Sequence, residues 1–222
     1  MTKAGKSQTN SDHIDFSGKK ITAFILNDVV QQLKSLDKGE TIKIKVDNYE
    51  ALDNDLLAWS KLTGNQVGVL ESNANYKIYK IEKIKDLKST NKFAIIISEK
   101  GLEELISPLG FAWAAAVSGM EVHIYIQGPA VNIMKKGYKE KLKGFSSIFS
   151  GFARKGLLEI GHIPPQEKII ELKKLGANFY LCQPSMDHFK VKKSDLIFTD
   201  IITAEYITFL EVLKDSDIKF FI

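Results

Sequence analysis

The chain reads as an α/β protein in two parts, and three observations predict this. Thr41 to Val46 alternates apolar and lysine side chains between two stretches of helical spacing, which is the pattern of a half-exposed strand in a small sandwich. Lys92 to Ser98 (Lys-Phe-Ala-Ile-Ile-Ile-Ser) is a continuous apolar run, as expected of a parallel strand buried on both faces. Between them a short polar stretch at 87–91 interrupts the pattern like a linker. The expected organisation is a tail at 1–11, a βαβαββ two-layer sandwich at 12–86 and a doubly wound, mostly parallel sheet at 92–222.

In the first part, Ile14 to Phe16 is the opening strand, followed by a turn at Gly18. Thr22 to Leu36 places Phe24, Ile25, Val29, Val30, Leu33 and Leu36 at helical spacing, and Gly39 stops the helix. Ala51 to Leu62 repeats the spacing with Leu52, Leu56 and Trp59 inward, and ends at Gly64. Gln66 to Glu71 and Tyr76 to Ile84 read as two closing strands.

In the second part a helix follows the Lys92 strand and runs to Ser118, with Ser107-Pro108 either kinking or restarting it. Met120 to Ile126 is the next strand. The strand–helix–strand unit implies a right-handed parallel crossover. Gln127 to Ile163 is rich in glycine, lysine and exposed aromatics, and reads as a helical excursion, a lid or a subunit contact. Pro164-Pro165 opens a helix to Leu175. Asn178 to Leu181 is a short buried strand, Asp195 to Thr199 a further strand, Thr203 to Leu213 a helix and Lys219 to Ile222 a closing strand.

Composition narrows the function classes. Of 222 residues, 44% are hydrophobic and 26% charged, as in ordinary globular chains. No apolar run approaches the roughly 18 residues that span a bilayer, and Met1 to Ser11 lacks the apolar core of a signal peptide. A soluble, cytoplasmic protein is the expectation. The net charge of +4 is spread evenly, near +2 in residues 1–90 (14 Lys, 12 Asp+Glu) and near +2 in residues 91–222 (17 Lys+Arg, 15 Asp+Glu). A nucleic-acid binder would concentrate it. No Gly-x-Gly-x-x-Gly or Walker-type loop follows a strand, which argues against nucleotide binding. His13, His123, His162 and His188 lack ligand spacing, so no metal and no cofactor are expected.

The single cysteine, Cys182, closes the Asn178 strand, and Pro184 two residues later ends any sheet ladder. In open α/β sheets the carboxyl ends of strands form the ligand edge. A free cysteine there is either buried filler or a nucleophile. The second role needs a thiolate, some exposure and neighbours that hold its charge, because a free thiol titrates near ~8.5. Ser185, Met186, Asp187 and His188 are the adjacent helpers, with Ser185 and Asp187 expected to cap a helical turn. Ser98 and Gly101 follow the first buried strand on the same expected edge, and His162 lies on a loop that reaches it. His123 is expected to be a satisfied core residue. With one cysteine, no second thiol of the chain can resolve a sulfenate, so a peroxidase is disfavoured.

Two family resemblances overlay this reading. Asp15 with Gly18, Gly39-Glu40, Asp47, Asp55, Trp59 and Gly64 resemble the TusA/SirA sulfur-carrier pattern. That family's Cys-Pro-x-Pro motif would fall at Ile21-Thr22-Ala23-Phe24, where neither the cysteine nor the prolines occur. The resemblance therefore implies a domain that carries no persulfide and serves interaction or oligomerisation. Ile95 to Ser98 with Gly101-Leu102, Gly119 to Val122, Leu175 to Ala177, the Cys182 to Asp187 block and Phe220-Phe221-Ile222 resemble the DsrE/DsrF-like family and its peroxiredoxin-like sulfur-relay members. This second resemblance implies that Cys182 accepts sulfane sulfur from a donor and passes it to a partner, and that the protein is a homo-oligomer. The alternative from the residues is an oligomeric binding or scaffold module with an inert cysteine.

Overall fold

The computed structural model describes residues 13–86, 91–142, 150–159 and 161–222. The expected tail, most of the expected linker, and the Phe145 end of the aromatic stretch lie outside these residues. The chain divides into two compact units, Met1–Asp86 and Leu87–Ile222.

The first unit runs β1 (Ile14–Asp15), α1 (Thr22–Lys34), β2 (Thr41–Asp47), α2 (Glu50–Thr63), β3 (Gln66–Ser72) and β4 (Tyr76–Glu82). This is the expected βαβαββ order. The sheet order is β1-β2-β4-β3, with β1 parallel to β2 and the remaining pairs antiparallel. Period-two alternation in β2 and β4 turns Ile44, Val46, Tyr79 and Ile81 inward, where they meet Ile25, Val29, Val30, Leu33, Leu52, Leu56 and Trp59. Gly64 ends α2 in the left-handed conformation at φ 75°, which only glycine adopts without strain. Asp53 on α2 accepts hydrogen bonds from Lys77 and from the Tyr79 hydroxyl on β4, tying helix to sheet.

The second unit contains β5 (Lys92–Ile97), α3 (Leu102–Val117), β6 (Glu121–Ile126), a 3₁₀ segment (Gly128–Met134), α4 (Ser150–Glu159), α5 (Pro165–Lys174) and β7 (Asn178–Cys182). It continues with α6 (Gln183–His188), β8 (Ile202–Ala204), α7 (Tyr206–Lys214) and β9 (Ile218–Phe221). All pairings are parallel, in the order β8-β7-β6-β5-β9. From β5 to β8 the chain steps in one direction, then returns across the sheet to place β9 beside β5. Parallel crossovers are right-handed, so reversing the direction puts the return helix on the opposite face.

The side chains bear this out. Phe93, Ile95, Ile124 and Phe179 share one face with Phe220, on whose ring Phe111 of α3 stacks at 5.4 Å. Ala94, Tyr125, Tyr180, Cys182 and Ala204 occupy the other face and pack on Phe209 of α7, with Val212 and Leu213 behind.

Two expected elements are corrected. Residues 195–199 form no strand. Leu196 makes one antiparallel bridge to Lys135, outside the main sheet, and Phe198 packs on Phe179 at 5.7 Å. In the apolar triplet 196–198 Leu196 is buried and Ile197 and Phe198 are half-buried, and the strand beside β7 is β8, which takes Thr203 and Ala204 from the expected helix. Pro108 does not restart the helix but lies inside α3. No helix among the described residues is long and apolar enough to cross a membrane.

Lys168 of α5 is 1% exposed, with its Nζ 3.3 Å from the Ile106 carbonyl on α3 and 3.5 Å from His162 Nδ1. Burial lowers its pKa from 10.5 to about 8, and burial also lowers that of His162. The unfolded chain therefore binds the extra proton between pH 8 and 10.5, so this lysine's contribution to stability rises with pH across that window. Urea unfolding at pH 8 and at pH 10.5 should show that increment in the wild type and its loss in Lys168→Met.

Candidate functional site

Period-two alternation places Tyr180 and Cys182 on the same face of β7. Tyr125 stands beside Tyr180 on β6, and Ala204 beside Cys182 on β8. Cys182 is thus the last strand residue and also the residue that precedes α6, with an extended backbone at φ −65° and ψ 112°. Pro184 fits the first turn of that helix because its missing N–H would have had no intrahelical partner.

The thiol is only 2% exposed. The partial exposure expected of a nucleophile is not met, because Phe209, Ala204, Tyr125 and Tyr180 enclose it. The two tyrosines differ. The Tyr180 hydroxyl is engaged by His123 Nδ1 at 3.1 Å, and His123 Nε2 lies 3.0 Å from Glu121 Oε1. The Tyr125 hydroxyl is buried and has no nitrogen or oxygen partner among the described residues. Burial raises its pKa most, and the neighbouring Cys182 sulfur raises it further, with smaller contributions from Tyr206 and Glu205 on or beside α7. The hydroxyl therefore lies close enough to the sulfur to interact with it, without a formed hydrogen bond.

The carboxyl edge of the sheet is joined by two side-chain contacts. Gln127 Nε2 donates to Ser98 Oγ at 3.0 Å, and the Gly128 N–H donates to Ser185 Oγ at 2.9 Å. These link the ends of β5, β6 and β7 through the loops that leave them. Gly128 has φ +55°, and an added Cβ would stand 3.4 Å from the Ser98 carbonyl, so glycine is suited to that turn.

The sequence-predicted residues are distributed as follows. Ser98 and Ser185 meet on this edge, and Met186 is buried beneath it. Ser185 and Asp187 do not cap α6, which already begins at Gln183. Ser185 reaches across to Gly128 in the segment that follows β6, and the exposed Asp187 accepts from Gln183 Nε2 at 2.7 Å. His188 is exposed at the end of α6, edge-on to Phe189 at 4.7 Å. Gly101 precedes α3, and its N–H donates to Glu104 Oε2 at 3.2 Å. It borders a cleft of about 430 Å³ that also includes Lys100, Tyr138, Lys139 and Lys141 but not Cys182. His162 is not brought to the thiol. It sits beside Lys168 against α3, on the sheet face opposite Cys182, because the β6–β7 crossover runs there. His123 is buried as expected of a core residue, but only its Nδ1 makes a hydrogen bond; Nε2 lies beside Glu121 without one. Among the described residues no group of His, Cys, Asp and Glu is arranged to hold a metal.

Sequence reasoning missed Tyr125, Gln127, Ala204 and Phe209. Tyr125 and Cys182 are far apart in sequence, and only the register of β6 against β7 joins them. The alternation of β6 (Val122, Ile124 and Ile126 against His123 and Tyr125) was the available signal, because it puts Tyr125 on the less apolar face.

These features define a parallel α/β domain whose sole thiol closes a strand at the carboxyl edge. Residues 91–220 match the DsrE/DsrF-like family, and the chain belongs to that family. Among solved structures it is similar to the YchN protein from E. coli, at 14% identity and a TM-score of 0.45 over 60% of this chain and 100% of that one. No curated protein matches the chain.

Ser185→Ala would leave the half-buried Gly128 N–H without its acceptor, at a cost of about 1 kcal/mol. The expected outcome is a lower urea midpoint with an unchanged m-value, measured by fluorescence.

Proposed function

We propose that this protein is a sulfur-relay protein in which Cys182 accepts sulfane sulfur and hands it to a partner. The observation that carries the reading is the position of the chain's only thiol, at the carboxyl end of β7 within the segment that matches the DsrE/DsrF-like family. The Cys182 thiolate attacks the outer sulfur of a donor persulfide. An S–S bond forms at Sγ, the donor's S–S bond breaks, and its electron pair leaves on the donor thiolate. No net oxidation occurs. Attack by an acceptor nucleophile on the outer sulfur then releases Cys182 as a thiolate.

Access requires the cover to open. β8 is a three-residue edge strand, and Phe209 is the only fully buried residue of α7, whose Tyr206, Ile207 and Leu210 are exposed. A segment that buries so little opens locally at low cost. In the same reading the first unit is a TusA/SirA-like module that has lost its thiol and serves partner contact.

Burial of the sulfur favours a second reading, a binding or scaffold module with an inert cysteine. Mass spectrometry of the native protein after incubation with glutathione persulfide separates the two. The relay reading expects a gain of one sulfur on Cys182, absent in Cys182→Ala. An unmodified wild type, across persulfide, polysulfide and tetrathionate donors, would favour the scaffold.

A further inference from the structure

We infer that Tyr125 is the positioning residue of the thiol site, its hydroxyl donating a hydrogen bond to the Cys182 sulfur when that sulfur carries negative charge. The inference rests on the sulfur-relay reading and supplies what it lacks, a group that holds the anion.

Three observations converge on Tyr125. The side chain is 1% exposed, and its hydroxyl has no nitrogen or oxygen partner among the described residues. Buried hydroxyls are normally satisfied, and an orphan of this kind calls for a partner that comes and goes. Cys182 packs in the same buried cluster on the neighbouring strand, and its sulfur is the largest influence on the hydroxyl after burial. A neutral thiol is a weak acceptor, whereas a thiolate or persulfide anion is a strong one. The group is therefore unsatisfied in the resting thiol state and satisfied in the reactive one.

The direction of the Tyr125 shift fits a donor. Burial, the sulfur, Tyr206 and Glu205 all disfavour phenolate, so the O–H keeps its proton and cannot act as a base. Its placement survives opening of the site. Tyr125 and Cys182 lie on the adjacent strands β6 and β7, whereas the cover belongs to β8 and α7. When the cover lifts, the donor stays with the sulfur. Tyr180 is the weaker candidate for this part, because its hydroxyl already has a partner in His123 Nδ1.

The chemistry is balanced without a further reagent. In the accepting step the Tyr125 O–H steadies the Cys182 thiolate before attack, and the electron pair of the broken S–S bond leaves on the donor. In the handing-on step the same O–H receives the Cys182 thiolate as leaving group, and no proton leaves Tyr125 in either direction.

The test uses the full chain and its Tyr125→Phe variant, which removes one oxygen that makes no formed hydrogen bond and should leave the thermal midpoint unchanged or raised. Alkylation of Cys182 by iodoacetamide is followed against pH. In Tyr125→Phe the profile is expected to move to higher pH by about one unit, equivalent to about tenfold slower labelling below the inflection. Tyr180→Phe is the matched control and should not move it. After loading with polysulfide, cyanide should remove the outer sulfur at least several-fold more slowly in Tyr125→Phe. A loaded wild type with identical profile and cyanide rate in Tyr125→Phe overturns the inference and leaves the relay reading standing. An equal displacement in Tyr180→Phe also overturns it, since core packing would then be the cause. A wild type that never loads overturns the relay reading. The alkylation profile then still decides the residue: displaced, it upholds Tyr125 as donor to the thiolate; unchanged, it overturns that role.

Discussion

The handedness of parallel crossovers governs what happens around Cys182. Three steps in one direction, β5 to β8, and one return, β8 to β9, divide the helices unequally between the two faces of the sheet. α3 and α5 pack together on the face of Phe93, Ile95 and Phe179. The return helix α7, nine residues long, is the cover packed over Tyr125, Tyr180 and Cys182. The same face therefore holds a buried thiol and a thin cover, and neither would follow if the return helix lay on the α3 side.

For the proposed sulfur relay, this arrangement reconciles burial with chemistry. A strand end roofed by a long amphipathic helix would yield an inert cysteine. Here the roof rests chiefly on Phe209, which stacks on Tyr125 at 4.9 Å and meets Tyr180 edge-on at 5.2 Å. The remaining apolar side chains of α7 point largely to solvent, where they add little burial to hold it closed. The floor is different in kind. β5, β6 and β7 are paired on both sides, whereas β8 is an edge strand paired on one side only.

Much of the architecture was legible in local patterns. The continuous run at 92–98 announced a parallel strand, the alternation at 41–46 a half-exposed one, and the strand ending at Cys182 followed from Pro184. Patterns failed where pairing decided the outcome. Leu196-Ile197-Phe198 has the composition of a strand, yet it bridges only to Lys135. Thr203-Ala204 looks like the start of a helix, yet with Ile202 it pairs beside β7. The site was half legible. Ser98 and Ser185 belong to the carboxyl edge, as their positions after strands suggested, although they bond to Gln127 and Gly128 rather than to the thiol. His162 was misplaced because a loop residue's position in sequence does not state which face its crossover takes. Tyr125 was invisible because its partner is set by the register of two strands joined by a long excursion.

If Cys182 relays sulfur, its buried thiol must become reachable without unfolding of the domain. The rate of Cys182 labelling by a neutral alkylating reagent across sub-denaturing urea tests this. Local opening of β8 and α7 predicts labelling that hardly depends on urea and greatly exceeds the global unfolding rate. Labelling that rises with the full unfolding m-value and vanishes in its absence would contradict it, and would leave Cys182 a core residue.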